Sequence, residues 1–242
     1  MSPAMMERLH EESQIFGDAA INDGRIGKMV LKRALSALFV LTLASGVLFA
    51  QSARPKVAHT VHTGPVTPAH NAPSGLKVIF SNIGPTPSNA YNDTTGYYIL
   101  GPSNSVGLSE QAIGVPFTPR SASHVTQLVV AVGWISGTSL VNVGLYSDNA
   151  GTAGTLLASG QSSAIPAFGA CCGLVSVTIP STAVAFGTQY WIVASSDDTN
   201  APDFTGVFEA ANNGIIAGDV GQAGWFSFTT NTPAAAAKGT VP

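Results

Sequence analysis

The sequence predicts an all-β protein: an antiparallel two-sheet sandwich, jelly-roll-like, preceded by a signal helix and a disordered linker. Only 10% of its 242 residues are charged, against roughly 25% in an ordinary soluble domain. The chain carries 26 glycines and 15 prolines, which favour turns over long helices. Residues 75–230 contain short β-branched and aromatic runs between turn residues, with no sustained helical period. Without crossover helices, antiparallel pairing is expected.

The N-terminal part has the pattern of an export signal. Lys32 and Arg33 follow Met29 and precede an apolar run, as in the n-region and h-region of a signal peptide. The run is shorter than the roughly 20 residues that cross a bilayer comfortably. We therefore predict a cleaved signal peptide over 29–50, with an uncleaved membrane anchor as the alternative. Residues 1–28 are polar, and we expect them to be untranslated or disordered.

Residues 51–74 are rich in proline, alanine, threonine and histidine and have no apolar periodicity. Such a segment buries too little apolar surface to offset its ordering entropy, so we expect a mobile linker. Its histidines are irregularly spaced and are joined by no cysteine or carboxylate, which favours solvated side chains over a metal site. These histidines are His59, His62 and His70.

We predict a sandwich domain over residues 75–230, followed by a disordered tail over 231–242. The clearest strand places Leu128, Val130 and Val132 on one face at a period of two. The other runs are too short for typical helices and are bounded by glycine, proline, asparagine or aspartate. The predicted strands are 77–80, 96–100, 124–135, 140–146, 173–179, 188–194 and 224–230.

The order of several features resembles the choice-of-anchor R family of bacterial surface domains. These features are the aromatic start at 96–98, the long strand at 128–135, and the stretches 141–151 and 187–193. The resemblance implies an exported β-sandwich whose members often carry a C-terminal sorting segment, and it implies no known activity. Residues 231–242 depart from that pattern, because they have neither an apolar span nor a basic end. We therefore expect a secreted, periplasmic or cell-surface protein.

The sequence contains none of the common catalytic signatures, and we assign no catalytic residue. There is no Gly-x-Ser-x-Gly elbow, no phosphate-binding glycine loop before a lysine and no His-Glu-x-x-His. His124 is the one histidine of the predicted domain and begins a strand, where a half-exposed structural role is ordinary. Glu110 and Glu209 are its two glutamates. A glycosidase needs two carboxyl groups across a cleft, a distance that sequence does not provide.

The acidic segment after the 188–194 strand is the candidate metal site. Hard oxygen ligands on one short loop are what Ca²⁺ prefers, so calcium is the one cofactor considered. A solvated turn whose Asp and Asn side chains cap its own backbone is the favoured alternative. The candidate ligands are Asp197, Asp198, Asn200 and Asp203.

Charge and cysteine content narrow the partners. Residues 75–242 hold eight Asp and Glu against three Lys and Arg, which argues against nucleic acid and anionic membrane as partners. Contact with a membrane is expected only through the signal segment, if it stays uncleaved. Cys171 and Cys172 are adjacent, and neighbouring cysteines rarely bridge each other. A strained vicinal disulfide with a redox role, two free thiols, and a link between two chains all remain open.

Two functional hypotheses follow. In the first, the domain is a structural or binding module for carbohydrate or another surface protein, with an exposed tryptophan as a stacking surface. Aromatic residues at alternating strand positions are more often core residues. In the second, it is a secreted hydrolase that acts on polysaccharide through its glutamates and nearby aspartates. The candidate stacking residues are Trp134, Trp191 and Trp225.

Overall fold

The computed structural model describes residues 56–60, 75–84, 92–168, 173–196 and 205–242. By internal contacts the chain divides into a unit over 1–54 and a unit over 55–242. All described residues belong to the second unit. The predicted signal peptide, the segment that precedes it and most of the predicted linker lie outside the described residues.

The described part of the chain is mostly antiparallel β-sheet with almost no helix, which confirms the all-β prediction. All ladders between named strands are antiparallel. The strands are β1 (His59–Thr60), β2 (Lys77–Ser81), β3 (Asn92–Leu100), β4 (Gln111–Phe117), β5 (Ser123–Ser136), β6 (Val141–Asn149), β7 (Thr152–Ser162), β8 (Gly173–Val184), β9 (Tyr190–Ser195), β10 (Thr205–Val220), β11 (Phe226–Pro233) and β12 (Ala235–Thr240).

One continuous sheet connects these strands in the order β2-β12-β5-β10-β3-β4-β9-β6-β7. Three strands join this path at its side, namely β1 on β3, β8 on β5 and β11 on β10. The two longest strands, β5 and β10, each pair with several neighbours, so the sheet branches around them. Non-consecutive neighbours dominate the order, and long-range pairing therefore sets the position of every site residue.

The main core lies on one face of the sheet. Its side chains come from strands at distant places in the order, including Val130 of β5, Leu145 of β6, Val177 of β8 and Ile192 of β9, all buried. The sheet must therefore curl so that these strands face one another. Gly160 of β7 packs so tightly against the backbone of β8 that a Cβ there would overlap the Thr178 carbonyl.

The prediction of a disordered tail over 231–242 is wrong. Residues 235–240 form β12, which is inserted between β2 and β5. The Asn82 side chain holds the entry to this strand, because its Nδ2 donates to the Pro233 carbonyl at 2.8 Å and its Oδ1 accepts from Ala235 N–H at 2.7 Å. Small alanines suit this position because the neighbouring strands already supply the bulk of the core. Their pairing with β2 and β5, rather than their hydropathy pattern, identifies them as a strand.

The linker prediction is wrong for residues 56–60. This segment pairs with β3 through His59 and Thr60, and the Val57 side chain packs against the main core. Gln111 of β4, which is 2% exposed, accepts a hydrogen bond from Ala58 N–H at 2.8 Å and donates to the Ala58 carbonyl at 3.1 Å. A buried amide thus binds a stretch of backbone that would otherwise be solvated.

Candidate functional site

The candidate site lies on the outer face of the sheet, opposite the main core, where β10, β4, β9, β6 and β7 run side by side. Alternate residues of these strands form rows that cross the sheet. Asp219 pairs with Ala112, and Asn142 pairs with both Ser195 and Gln161. The β4–β9 ladder, in which Ile113 pairs with Ala194, places Ala112 opposite Ser195. We call Asp219, Ala112, Ser195, Asn142 and Gln161 the polar row.

The next row is made of small side chains and is called the small-residue row. The ladders place Gly114 beside Ala217 and Val193, and Gly144 beside Val193 and Ser159. The two glycines in this row contribute no side chains, and larger neighbouring side chains cover them, so that both glycines are buried.

The third row carries the aromatic side chains. Trp191 lies between Pro116 and Tyr146, and Tyr146 pairs with Leu156 of β7. Trp191 is 0% exposed, and its indole Nε1–H donates to Asp148 Oδ1 at 2.7 Å. The same carboxylate oxygen accepts from the Gln189 amide at 2.7 Å. The buried indole is therefore anchored at its polar end.

Trp225 covers part of the small-residue row. It is half-buried and packs against the outer cluster of Ala153, Trp191, Val193 and Ala217. Its ring centroid lies 6.2 Å from that of Tyr146, with an interplanar angle of 61°, an edge-to-face arrangement that aromatic pairs favour. The aromatic wall beside the polar row is thus formed by Trp225 and Tyr146.

A cavity of about 500 Å³ opens between the polar row and the side chains of Tyr146 and Leu156. We call it the neutral cavity, because no charged side chain is among the described residues that line it. Gly144 and Gly160 contribute backbone to it. Its side chains are Asn142, Tyr146, Leu156, Ser159, Gln161 and Ser195.

Gly144 shapes the neutral cavity through the space it leaves. A Cβ at this position would lie 2.7 Å from Tyr146 Cε2 and 2.9 Å from Leu156 Cδ1, both closer than van der Waals contact. The aromatic ring and the leucine methyl therefore lie over the bare backbone of β6. The cavity consequently has an apolar side, formed by these two residues, and a polar side of amides and hydroxyls.

Tyr146 is the one titratable side chain that lines the neutral cavity within the described ranges. Burial raises the pKa of its phenol, and the negative charge of Asp219 raises that pKa further. The phenol therefore stays protonated at neutral pH. A protonated phenol is a poor general base.

A second cavity, of about 250 Å³, lies at the other end of the polar row. We call it the acidic cavity, because Glu110 and Asp219 both line it, with Gln111, Gln222 and Ser196 beside them. Asp219 Oδ1 accepts a hydrogen bond from Gly224 N–H at 3.1 Å in the turn between β10 and β11. The structure thus brings Glu110 and Asp219 to the same cavity. The sequence had suggested Glu110 and Glu209 as the candidate carboxyl groups. The side chain of Glu209 is outside the described set.

The three tryptophans have different environments. Trp134 is half-buried, packs against the main core and donates from Nε1 to the Gly137 carbonyl at 3.1 Å. The complete burial of Trp191 leaves no ring face for a ligand. Of the three, Trp225 alone is both partly exposed and on the outer face, and it lines neither cavity.

The other predicted site residues fall mostly outside the described ranges. This holds for all four candidate calcium ligands of the 197–203 segment and for Cys171 and Cys172. Within the described ranges no group of three or more His, Cys, Asp or Glu is placed to hold a metal ion. His124 is exposed near the start of β5. No helix in the described part of the chain is long and apolar enough to span a membrane.

Sequence reasoning missed the side chains of the neutral cavity. Asn142, Ser159, Gln161 and Ser195 are ordinary polar residues at alternating strand positions, a pattern typical of any solvated sheet face. Only the adjacency of β9, β6 and β7 brings them into one row. Comparison with protein-family models, with curated proteins and with solved structures finds no match to this chain.

Proposed function

We propose that this chain is an exported, non-catalytic β-sandwich module of jelly-roll type that binds a ligand at the cell surface or in the periplasm. The carrying observation is the neutral cavity. Its lining offers amide and hydroxyl hydrogen-bonding groups and an apolar wall, a combination typical of binding pockets. It lacks, among the described residues, the carboxylate or imidazole that general acid–base catalysis uses.

The sandwich arrangement is supported by the origin of the main core. Inward side chains from β6 and β9 meet inward side chains from β5 and β8 in one cluster, as two packed layers require. The export proposal rests on the signal-like segment at 29–50, and the surface location on the resemblance to choice-of-anchor domains. Carbohydrate or another surface protein is the expected class of ligand.

A secreted polysaccharide hydrolase is the alternative, and one observation favours it. Glu110 and Asp219 line the same cavity, as the acid and base or nucleophile of a glycosidase would. Against it, Asp219 also accepts a hydrogen bond from the backbone of the adjacent turn. Release of reducing ends from polysaccharide, abolished by Glu110→Gln, would favour the hydrolase.

The binding proposal is tested by filling the neutral cavity. Ser159 lines it and is exposed, so Ser159→Trp should block it without disturbing the core. Ser176→Trp is the matched control, because Ser176 is also an exposed strand serine and is not among the residues of either cavity. The measurement is binding of the exported protein to a glycan array and to the envelope fraction of the producing cell.

We expect Ser159→Trp to abolish binding and Ser176→Trp to retain it. Equal binding by both variants would place the ligand elsewhere on the molecule. Absence of binding by the unmodified protein to either probe would contradict the binding role and leave a structural one.

A further inference from the structure

We infer that the ligand of the neutral cavity is an uncharged oligosaccharide whose chain crosses the strands along the polar row. This inference rests on the proposed binding function and specifies its ligand. It combines the chemistry of the cavity lining, the apolar wall and the direction of the row.

The polar side of the cavity matches sugar hydroxyls. Gln161 offers a carbonyl acceptor and an amide donor, and the hydroxyls of Ser159 and Ser195 both donate and accept. A sugar hydroxyl needs this mixture, because it is itself a donor and an acceptor. Three such side chains around one cavity therefore suit a ligand with several hydroxyl groups.

Charge selects against ionic ligands. Within the described ranges, neither lysine nor arginine borders the neutral cavity, so a phosphate, sulfate or uronate would be desolvated without a counter-charge. Among the described residues, the lining of this cavity likewise holds no carboxylate for a cationic ligand, because Glu110 and Asp219 line the other cavity. The cavity is therefore suited to a neutral ligand.

The apolar wall matches the C–H face of a sugar ring. The Tyr146 ring and the Leu156 side chain lie over Gly144, and Leu156 is 47% exposed. An aromatic ring with a polar tip binds a partner that is apolar on one side and wet on the other. A pyranose ring has this property, with C–H groups on its faces and hydroxyls at its edge.

The polar row determines the direction in which an oligosaccharide would lie and the length of chain that it can contact. Gln161, Asn142 and Ser195 lie on three adjacent strands, which spans about 10 Å at the usual strand spacing. Continuing through Ala112 to Asp219 extends the row to about 19 Å. A single sugar contacts only part of such a row, so affinity should increase with chain length.

A protein ligand fits this surface less well. Peptides commonly bind a sheet by pairing with a free edge strand or by filling an apolar groove. The neutral cavity lies over the face of β9, β6 and β7. Of these strands, β6 and β9 are paired on both sides. A peptide paired with β7, which ends the strand order, would lie beside the sheet rather than over this cavity. Its polar side lacks the apolar area that would anchor a protein side chain.

The test is a titration of the exported full chain with neutral glucose oligomers of one to four units and with uronate oligomers of the same lengths. Binding is followed by calorimetry and by backbone amide NMR shifts. We expect affinity to rise at least fivefold from monomer to trimer, with shifts in β6, β7 and β9. The uronate series should bind at least tenfold more weakly.

The matched variants are Gln161→Ala and Thr155→Ala, which both remove an exposed side chain of β7. Thr155 is not among the residues of either cavity. Loss of one neutral hydrogen bond should weaken trimer binding about threefold to tenfold in Gln161→Ala, and Thr155→Ala should stay within twofold. The NMR shifts locate the ligand even if a variant fails to fold.

The outcomes separate this inference from the proposed function. Uronate binding as tight as neutral binding, or affinity independent of length, would overturn the neutral-chain inference while leaving a glycan-binding module. If no saccharide binds but Ser159→Trp still abolishes envelope binding, the inference fails and the proposed function stands. If neither probe binds, both fail.

Discussion

The two faces of the same strands differ sharply in composition. In β4 and β9 the inward positions hold Ile113, Val115 and Ile192, all buried in the main core. The outward positions hold Ala112 and Gly114 with buried Val193 beside them, on the face that carries both cavities. The inner face is filled with large side chains and supplies stability. Around the cavities the outer face is built from small residues, which leave room for a ligand and for the aromatic side chains of the neighbouring row.

The largest effect is expected from a cavity in the inner face. Leu128 is fully buried in the main core, so Leu128→Ala should lower the free energy of unfolding by about 2–5 kcal/mol. Leu157→Ala is the control, because Leu157 is 41% exposed and its loss should cost less than about 0.5 kcal/mol. Denaturant midpoints measure both. Similar losses of unfolding free energy in the two variants would contradict the inference that the buried inner face supplies most of the stability.

The next largest effect concerns Gln111, a polar residue on the inner face. Gln111→Leu removes its hydrogen bonds to Ala58 and its 2.8 Å bond to the Tyr98 carbonyl. We expect a loss of about 1–3 kcal/mol and faster hydrogen exchange at the Ala58 amide. Gln127→Leu is the matched control, because the buried Oε1 of Gln127 has no partner among the described residues. Unchanged exchange at Ala58 in Gln111→Leu would refute the docking of residues 56–60.

A smaller effect, dependent on pH, is expected at Asp148 on the outer face. Burial tends to raise the pKa of its carboxyl, but hydrogen bonds from Trp191, Gly151 and Gln189 outweigh burial and hold that pKa below its ordinary value. A lowered folded pKa stabilises the fold above the ordinary aspartate value, and this contribution is lost as pH falls through the folded value. The wild-type chain should therefore lose this stability in acid.

Asp148→Asn tests that dependence. We expect the variant to be about 1 kcal/mol less stable than the wild type near pH 7, with the difference shrinking as the pH falls below the ordinary aspartate pKa. Thermal unfolding across the pH range measures it. A difference that stays constant in acid would mean that the effect is not due to the ionised carboxylate.

The smallest effect on stability, with a larger one on binding, is expected at Gly144. An added methyl would displace the tips of Tyr146 and Leu156, which are side chains that can move. Gly144→Ala should therefore cost under about 1 kcal/mol while narrowing the neutral cavity and weakening oligosaccharide binding. Gly114→Ala is the control in the same row. Its added Cβ would contact Val193 and Trp191, and Gly114 does not line the neutral cavity. Equal oligosaccharide binding by the two variants would mean that the ligand contacts the polar row and not the side chains that lie over Gly144.

Strands rich in β-branched and aromatic residues were predictable. The runs at 124–135, 140–146 and 173–179 correspond to β5, β6 and β8. Burial alternates along β8 over 175–179, whereas β5 is buried on both faces over 127–133. Five strands were missed, namely β1, β4, β7, β10 and β12. Glycine and alanine are frequent in the last four, and these residues have low intrinsic strand preference. Neighbouring strands decide their conformation, so a local pattern does not reveal it.

The sequence by itself determined the β class, the inward faces of the regular strands and the scarcity of catalytic groups, because side-chain alternation and composition are local properties. Strand order, the rows of the outer face and the docking of residues 56–60 were decided by the tertiary structure. Gln111 looks like any polar strand residue until Ala58 lies beside it, and Asn142 and Gln161 form one row only after β6 and β7 pair. The hydrogen-bond and packing energies that hold these arrangements arise between residues distant in the chain.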